Sequence, residues 1–232
     1  MTLHLLSGGA AQGLLGKLRA AFETETGNVV AATFGAVGSM REKLLAGAPA
    51  DVVILTRALI DGLVRDGHII SGSAVDIGVV KTGVAVRTGS HHPHIARPGD
   101  LRAALMAADA IYFPDPQLAT AGIHFAKVLD SLEIDSAGDA RLRPFPNGAA
   151  AMNAMASSTA RLPIGCTQVT EIINTPGVDL VGLLPPEFEL ATVYTAAVAA
   201  HSTHPTAAHR LIDMLTDPQK QQIRTQLGFE EV

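Results

Sequence analysis

Four glycine-bearing turns are the places in this chain where backbone could meet a ligand. They are Ser7-Gly8-Gly9-Ala10-Ala11-Gln12-Gly13, Gly35-Ala36-Val37-Gly38-Ser39, Thr120-Ala121-Gly122 and Pro146-Asn147-Gly148. Each lies between a strand-like run and a helix-like one. Glycine lets the backbone bend tightly and lets a ligand come close to it. The first N–H groups of a helix have no partner within the helix and sit at the positive end of its dipole. The chemistry that follows is anion binding through backbone amides. The candidate ligand contacts in these turns are Ser7, Gly9, Ala10, Ala11, Gly38, Ser39, Thr120, Ala121, Gly122 and Asn147. A nucleotide is not the expected anion. The first turn has the glycine spacing of a phosphate loop, but Leu14 and Leu15 stand where Lys and Ser or Thr are needed.

Other side chains offer less. Arg57 follows an apolar strand and either clamps a carboxylate or faces solvent. Cys166 lies in an apolar run and reads as a buried, inert thiol. Being single, it forms no intramolecular disulfide. Two histidine groups, His91-His92-His94 and His201-His204-His209, lack the compact ligand set that zinc requires, so no metal and no cofactor is expected. Asp51 heads a strand and is expected to hold neighbouring backbone. Asp115, between two prolines, reads as a turn-former.

The elements that must position the turns alternate. Strands are expected at residues 3–6, 29–34 and 51–55, with helices from 14, over 40–46 and over 58–65. Ser39 and Glu42 match a capping box, and Gly67 is a helix stop. A β-prone stretch over 75–86, broken at 81–83, precedes a polar loop over 90–98. Helices then read over 101–108, 121–132, 149–156 and 169–173, with strands over 110–113, 141–145, 162–166 and 178–184. A last strand over 192–200 leads to helices over 205–215 and 218–227. This is a β/α series in two halves. The expected division is a first lobe of residues 1–79 plus 193–232 and a second of 80–192, with crossovers near 78–86 and 186–194.

The chain has 232 residues, of which 47% are hydrophobic and 4% aromatic, with no Trp, so its core is aliphatic. Its 17 basic and 22 acidic residues give a net charge of −5. The basic residues are scattered, which argues against a nucleic-acid partner. No apolar run is long enough to enter a membrane, and a monomer is expected. Met1-Thr2-Leu3-His4 enters the first strand directly, without the pattern of a signal peptide. That leaves a cytoplasmic location open.

Several motifs resemble those of type II periplasmic solute-binding proteins. They are Phe22-Glu23-Thr24-Glu25-Thr26-Gly27, Gly47-Ala48-Pro49-Ala50-Asp51-Val52, His204-Pro205, Leu215-Thr216-Asp217-Pro218 and Leu227-Gly228-Phe229. Together they span nearly the whole chain and are most similar to the molybdate-binding branch. The resemblance implies a two-lobe Venus-flytrap α/β fold, each lobe a mostly parallel sheet flanked by helices. It implies a small anion held in the cleft between lobes, hinge closure, a periplasmic location and an ABC-transporter permease as partner. The site departs from the molybdate pattern. Ala10 stands where that branch has Ser, Gly35-Ala36-Val37-Gly38 replaces a Gly-Ser-Ser-Gly turn, and Gln168 replaces a Tyr. Each lost hydrogen bond is worth roughly 0.5–1.5 kcal/mol, so molybdate itself is disfavoured. Ile164-Gly165-Cys166-Thr167-Gln168-Val169-Thr170-Glu171-Ile172 and Gly182-Leu183-Leu184-Pro185-Pro186 resemble a further branch that includes aconitate-isomerase-type proteins. That implies a polycarboxylate ligand, with Gln168 as a ligand contact or a helix cap. Two functions stay open: a binder of a small oxyanion or carboxylate, and an isomerase that moves a proton and a double bond. The isomerase would use Glu171 or His124 as its base.

Overall fold

The computed structural model describes residues 1–134 and 138–232. In chain order the elements are β1 (Thr2–Gly8), α1 (Gln12–Thr26), β2 (Val29–Gly35), α2 (Val37–Leu45), β3 (Val52–Thr56), α3 (Arg57–Arg65) and β4 (Val75–Arg87). Then follow α4 (Pro98–Ala107), β5 (Ala110–Pro114), α5 (Thr120–Ser131), β6 (Leu142–Phe145), α6 (Gly148–Ala156), β7 (Pro163–Gln168), α7 (Val169–Ile173) and β8 (Val178–Leu183). The chain closes with β9 (Ala191–Val198), α8 (Pro205–Thr216) and α9 (Gln221–Gln226). It forms two compact units: Met1–Val80 with Thr192–Val232, and Lys81–Ala191.

In the first unit the sheet runs β2-β1-β3-β9. β1 pairs with β2 and β3 in parallel, and β9 lies antiparallel to β3. β3 is apolar because both its faces are covered: Val52, Val53, Ile54 and Leu55 have no solvent exposure. α1 presents Leu14, Leu15, Leu18 and Phe22 to the core at helical spacing. It stops at Gly27, whose φ of 68° is the left-handed conformation that a helix C-cap favours. Asp51 does hold backbone. Its carboxylate accepts from the N–H groups of His4, Thr203 and His204 and from the Ser202 hydroxyl, tying β1 to the segment that enters α8.

In the second unit β7, β5 and β6 are parallel neighbours, while β4 runs antiparallel to β7 and to β8. The two faces carry separate cores. Leu101, Leu105, Phe125 and Val128 of α4 and α5 pack with Val84 and Cys166 on one face. Met152 and Met155 of α6 and Ile172 of α7 pack with Ala85 and Tyr112 on the other. Cys166 is buried and its thiol is pushed far up by loss of solvent, so it carries no thiolate chemistry.

Three local expectations need correction. Ser39 is not a cap: α2 starts two residues earlier at Val37, its N-cap is Ala36, and no side chain caps it. Gly38 and Ser39 therefore lie inside the first turn. β4 is not interrupted at residues 81–83; it is one strand of 13 residues. The first glycine turn is also tighter than it reads. β1 continues through Ser7 and Gly8, and a 3-10 turn over Gly9–Ala11 leads directly into α1.

Candidate functional site

Each unit gathers helix starts at the carboxyl ends of parallel strands, where open α/β sheets take their ligands. In the first unit the parallel register sets Gly8 opposite Gly35. The starts of the α1 segment and of α2 thus rise from neighbouring strand ends. Neither has a side-chain cap. Gly9, Ala10 and Ala11 are buried, and Gly38 and Ser39 are partly exposed. Gly8 is glycine for a steric reason: a Cβ there would lie 2.8 Å from Val37 and 3.1 Å from Tyr194. Tyr194 of β9 was missed from sequence, because nothing local ties it to a turn almost two hundred residues away. Ser7 is fully buried and donates to the Gly8 carbonyl at 2.8 Å. Arg57 pairs with Asp76, which also accepts the Thr195 hydroxyl at 2.6 Å. Its guanidinium is thereby engaged within the protein.

In the second unit α5 begins without a side-chain cap. Asp115 makes the expected turn, its carboxylate accepting from Gln117 N–H at 2.7 Å and Leu118 N–H at 2.9 Å. Gly122 is packed hard against the end of β5. A Cβ there would stand 2.2 Å from the Asp115 carbonyl oxygen and 2.3 Å from that of Pro114. Thr120, Ala121 and Gly122 thus begin α5 right at the strand end. His124, one residue pair further along, has its Nε2 2.8 Å from the Phe188 carbonyl oxygen.

The start of α6 is different. Asn147 caps it, its side-chain oxygen accepting from Ala150 N–H at 2.9 Å. The carboxyl group of Glu171 arrives at the same place from α7. It accepts from the Thr167 hydroxyl at 2.6 Å and from the backbone N–H groups of Gly148, Ala149 and Gln168. Gly148 makes room for it, since a Cβ would lie 1.9 Å from the Glu171 carboxylate and 2.1 Å from the Thr167 hydroxyl. Burial pushes the Glu171 carboxyl above its usual range, against the opposing pull of those four donors.

Gln168 ends β7 and heads α7. It is 2% exposed, and neither its side-chain oxygen nor its side-chain nitrogen has a partner. It makes no side-chain cap bond to α7, so it is not a helix-capping glutamine. Two more buried groups without partners stand beside it: the hydroxyl of Thr82, opposite Gln168 in the antiparallel ladder, and that of Thr170. Residues directly opposite in such a ladder point to the same face, with Cβ atoms about 4.5–5.5 Å apart. Thr82 and Thr170 were not picked out from sequence. A threonine inside a β-prone run carries no local signal; only the missing partner marks it. No group of acidic, His and Cys side chains among the described residues could hold a metal.

A sequence model of the bacterial extracellular solute-binding proteins matches residues 3–230. The chain belongs to that family. This solute-binding protein is 29% identical over 222 residues to an aconitate isomerase from a Pseudomonas species, covering 92% of this chain and 82% of the relative. Its fold is that of the periplasmic molybdate-binding protein of Azotobacter vinelandii, with a TM-score of 0.82 over 99% of both chains at 19% identity. The sulfate-binding protein of Mycobacterium tuberculosis is similar too, with a TM-score of 0.75 at 21% identity over 100% of this chain and 87% of that one. The fold class is therefore the α/β architecture of type II periplasmic binding proteins. No helix among the described residues is long and apolar enough to cross a membrane.

Proposed function

We propose that this solute-binding protein takes a small carboxylate-bearing anion and delivers it to the permease of an ABC transporter, outside the cytoplasm. Each unit offers its own donors: the first, backbone amides at the starts of the α1 segment and α2; the second, those at the start of α5 with the side chain of Gln168. Gln168 carries the reading. An amide with 2% exposure and no partner on either polar atom costs about 1–3 kcal/mol in the empty protein. A ligand that bonds to it offsets that cost. Amides at helix starts serve carboxylate and tetrahedral oxyanions alike. Gln168 adds two side-chain N–H donors in one plane, which suits a planar carboxylate better than a tetrahedral oxyanion. The absence of a hydroxyl at Ala10 favours the same side.

The test is a thermal-shift series with citrate, cis- and trans-aconitate, molybdate, tungstate and sulfate. A ligand at a hundred times its Kd stabilises by about 2.7 kcal/mol, which for a chain of this length raises Tm by roughly 5–11 °C. We expect that response from at least one carboxylate. A large shift with molybdate and none with the carboxylates sinks the reading.

The likeness to an aconitate isomerase supports a second reading, that the chain moves a proton and a double bond within a polycarboxylate. A base must then take a proton from carbon and return one at another carbon. Glu171 and His124 are the groups with suitable chemistry near the α5 and α7 starts. Interconversion of cis- and trans-aconitate, followed by ultraviolet absorbance, would establish the isomerase. No turnover at saturating substrate leaves the binder.

A further inference from the structure

Two helix starts follow neighbouring strands in the second unit, and one of them already meets a side chain of the protein. The strands that lead to them, β5 and β6, are parallel neighbours, with Pro114 opposite Phe145. The α6 start meets the Glu171 carboxyl group, which takes the N–H groups of Gly148 and Ala149. Thr167 adds its hydroxyl from 2.6 Å. Gly148, where a Cβ would collide with that carboxyl at 1.9 Å, keeps the seat open for it. A built-in group therefore has the place that an external anion would take at a free helix start. On the adjoining β7–α7 corner the opposite holds: Gln168, Thr82 and Thr170 are buried, polar and unpartnered.

We propose that the Glu171 carboxyl group is a built-in occupant that closes the α6 start to solute, and that the unit's solute contact is moved to Gln168, Thr82 and Thr170, which receive a carboxyl group of an organic acid. The second half rests on the reading of the chain as a carboxylate binder; the first does not. The chemistry follows from the groups. Gln168 supplies two N–H donors and one acceptor, and each threonine a rotatable hydroxyl. The two oxygens of a carboxylate accept from the Gln168 side-chain N–H and from both hydroxyls. The seat at α6 takes a short carboxyl group, because Gly148 leaves space for no larger backbone substituent.

Chemical rescue separates the two halves. Glu171→Ala empties the seat without adding bulk. We expect its Tm to fall by roughly 5 °C or more, and to recover at least half of that loss in formate or sulfate at tens of millimolar. The wild-type chain, whose seat is full, should shift by less than a degree in the same salts. An alanine variant that responds to these ions no more than the wild type overturns the assignment of Glu171 as the built-in occupant. This measurement uses no solute, so it does not depend on the function proposed above. The second half is read on Gln168→Leu, an apolar replacement of similar volume. The empty variant should melt at or above the wild-type temperature, because a buried amide without partners is gone. Its affinity for the carboxylate that shifts the wild type should drop tenfold or more by calorimetry. Unchanged affinity overturns the assignment of Gln168, Thr82 and Thr170, and Thr82→Val offers the same reading if the leucine variant does not fold. If no carboxylate binds the wild type while formate still rescues Glu171→Ala, the proposed function fails and the built-in carboxyl group stands.

Discussion

The starts of α5 and α6 are built from the same local plan and end up with opposite chemistry. Both follow parallel strands of one sheet, both lie at strand carboxyl ends, and both contain a glycine in the first turn. At α5 that glycine brings the helix down onto the backbone of β5, and no side chain caps its first amides. At α6 the glycine admits a side chain of the protein, and Asn147 and Glu171 take the amides. The lesson is that a glycine turn before a helix has two uses. It can leave a helix start uncapped, or it can clear space for an internal carboxyl group. Which one holds depends on residues far away in sequence.

The sharpest way to break this comparison is to add one methyl group at each glycine. Gly122→Ala meets two carbonyl oxygens of β5–α5 backbone at 2.2 and 2.3 Å, and backbone there cannot swing aside. We expect a loss of about 3 kcal/mol in chemical denaturation, with solute affinity falling by more than tenfold as the α5 start is displaced. Gly148→Ala meets side chains instead, the carboxyl of Glu171 and the hydroxyl of Thr167, which can rotate. The expected loss is smaller, about 2 kcal/mol, from unmade buried hydrogen bonds. Solute affinity should change little on the proposal that Glu171 closes the α6 start to solute. Equal losses of affinity in the two variants would erase the distinction between the two helix starts.

Much of the plan was legible before any coordinates. The alternation of apolar runs with 3.6-residue patterns located the helices that flank both sheets, because periodicity is a local property. The chain's family motifs, such as Gly47-Ala48-Pro49-Ala50-Asp51, gave the fold class. Ser39 misled because Ser-x-x-Glu matches a capping box by spacing alone, while α2 had already begun at Val37. The reading of Glu171 as a candidate base did not anticipate the groups around it. These are amides of α6 more than twenty residues earlier and a hydroxyl four residues back. Thr82 and Thr170 were invisible for the same reason: what marks them is a partner they lack, and that is a property of the packed sheet rather than of the sequence.

The pH dependence of stability sharpens the contrast further, with a smaller effect. Burial raises the Glu171 carboxyl above its usual value of 4.5 in the folded chain. The folded state therefore holds its proton more tightly than the unfolded one. The stabilisation from this group is complete below the unfolded value and is lost as pH rises through the folded one. Asp51 works in reverse. Burial would raise it, but the His4 amide, the Ser202 hydroxyl and His204 outweigh burial and hold it below 3.8. Its contribution is present at neutral pH and disappears on acidification. Comparing the wild type with Glu171→Gln isolates the first group. The stability of the glutamine variant relative to wild type should rise as pH increases from about 4.5. A difference that is flat, or that rises toward acid, contradicts the raised carboxyl.

The smallest expected effect comes from Asn147, and it tests the comparison from the capping side. Asn147 lies at the entrance to α6 and could serve either its own helix or a solute. Its side-chain oxygen is 2.9 Å from Ala150 N–H, the geometry of an N-cap, so that oxygen is already committed. Asn147→Ala removes one cap, worth about 1 kcal/mol, and leaves Glu171 on the Gly148 and Ala149 amides. The midpoint of denaturation should fall accordingly, with the slope against denaturant unchanged because the same surface is exposed on unfolding. Carboxylate affinity, measured on the same variant, should stay within error of the wild type. A loss of affinity without a loss of stability would mean that Asn147 points at the solute, and that α6 is open after all.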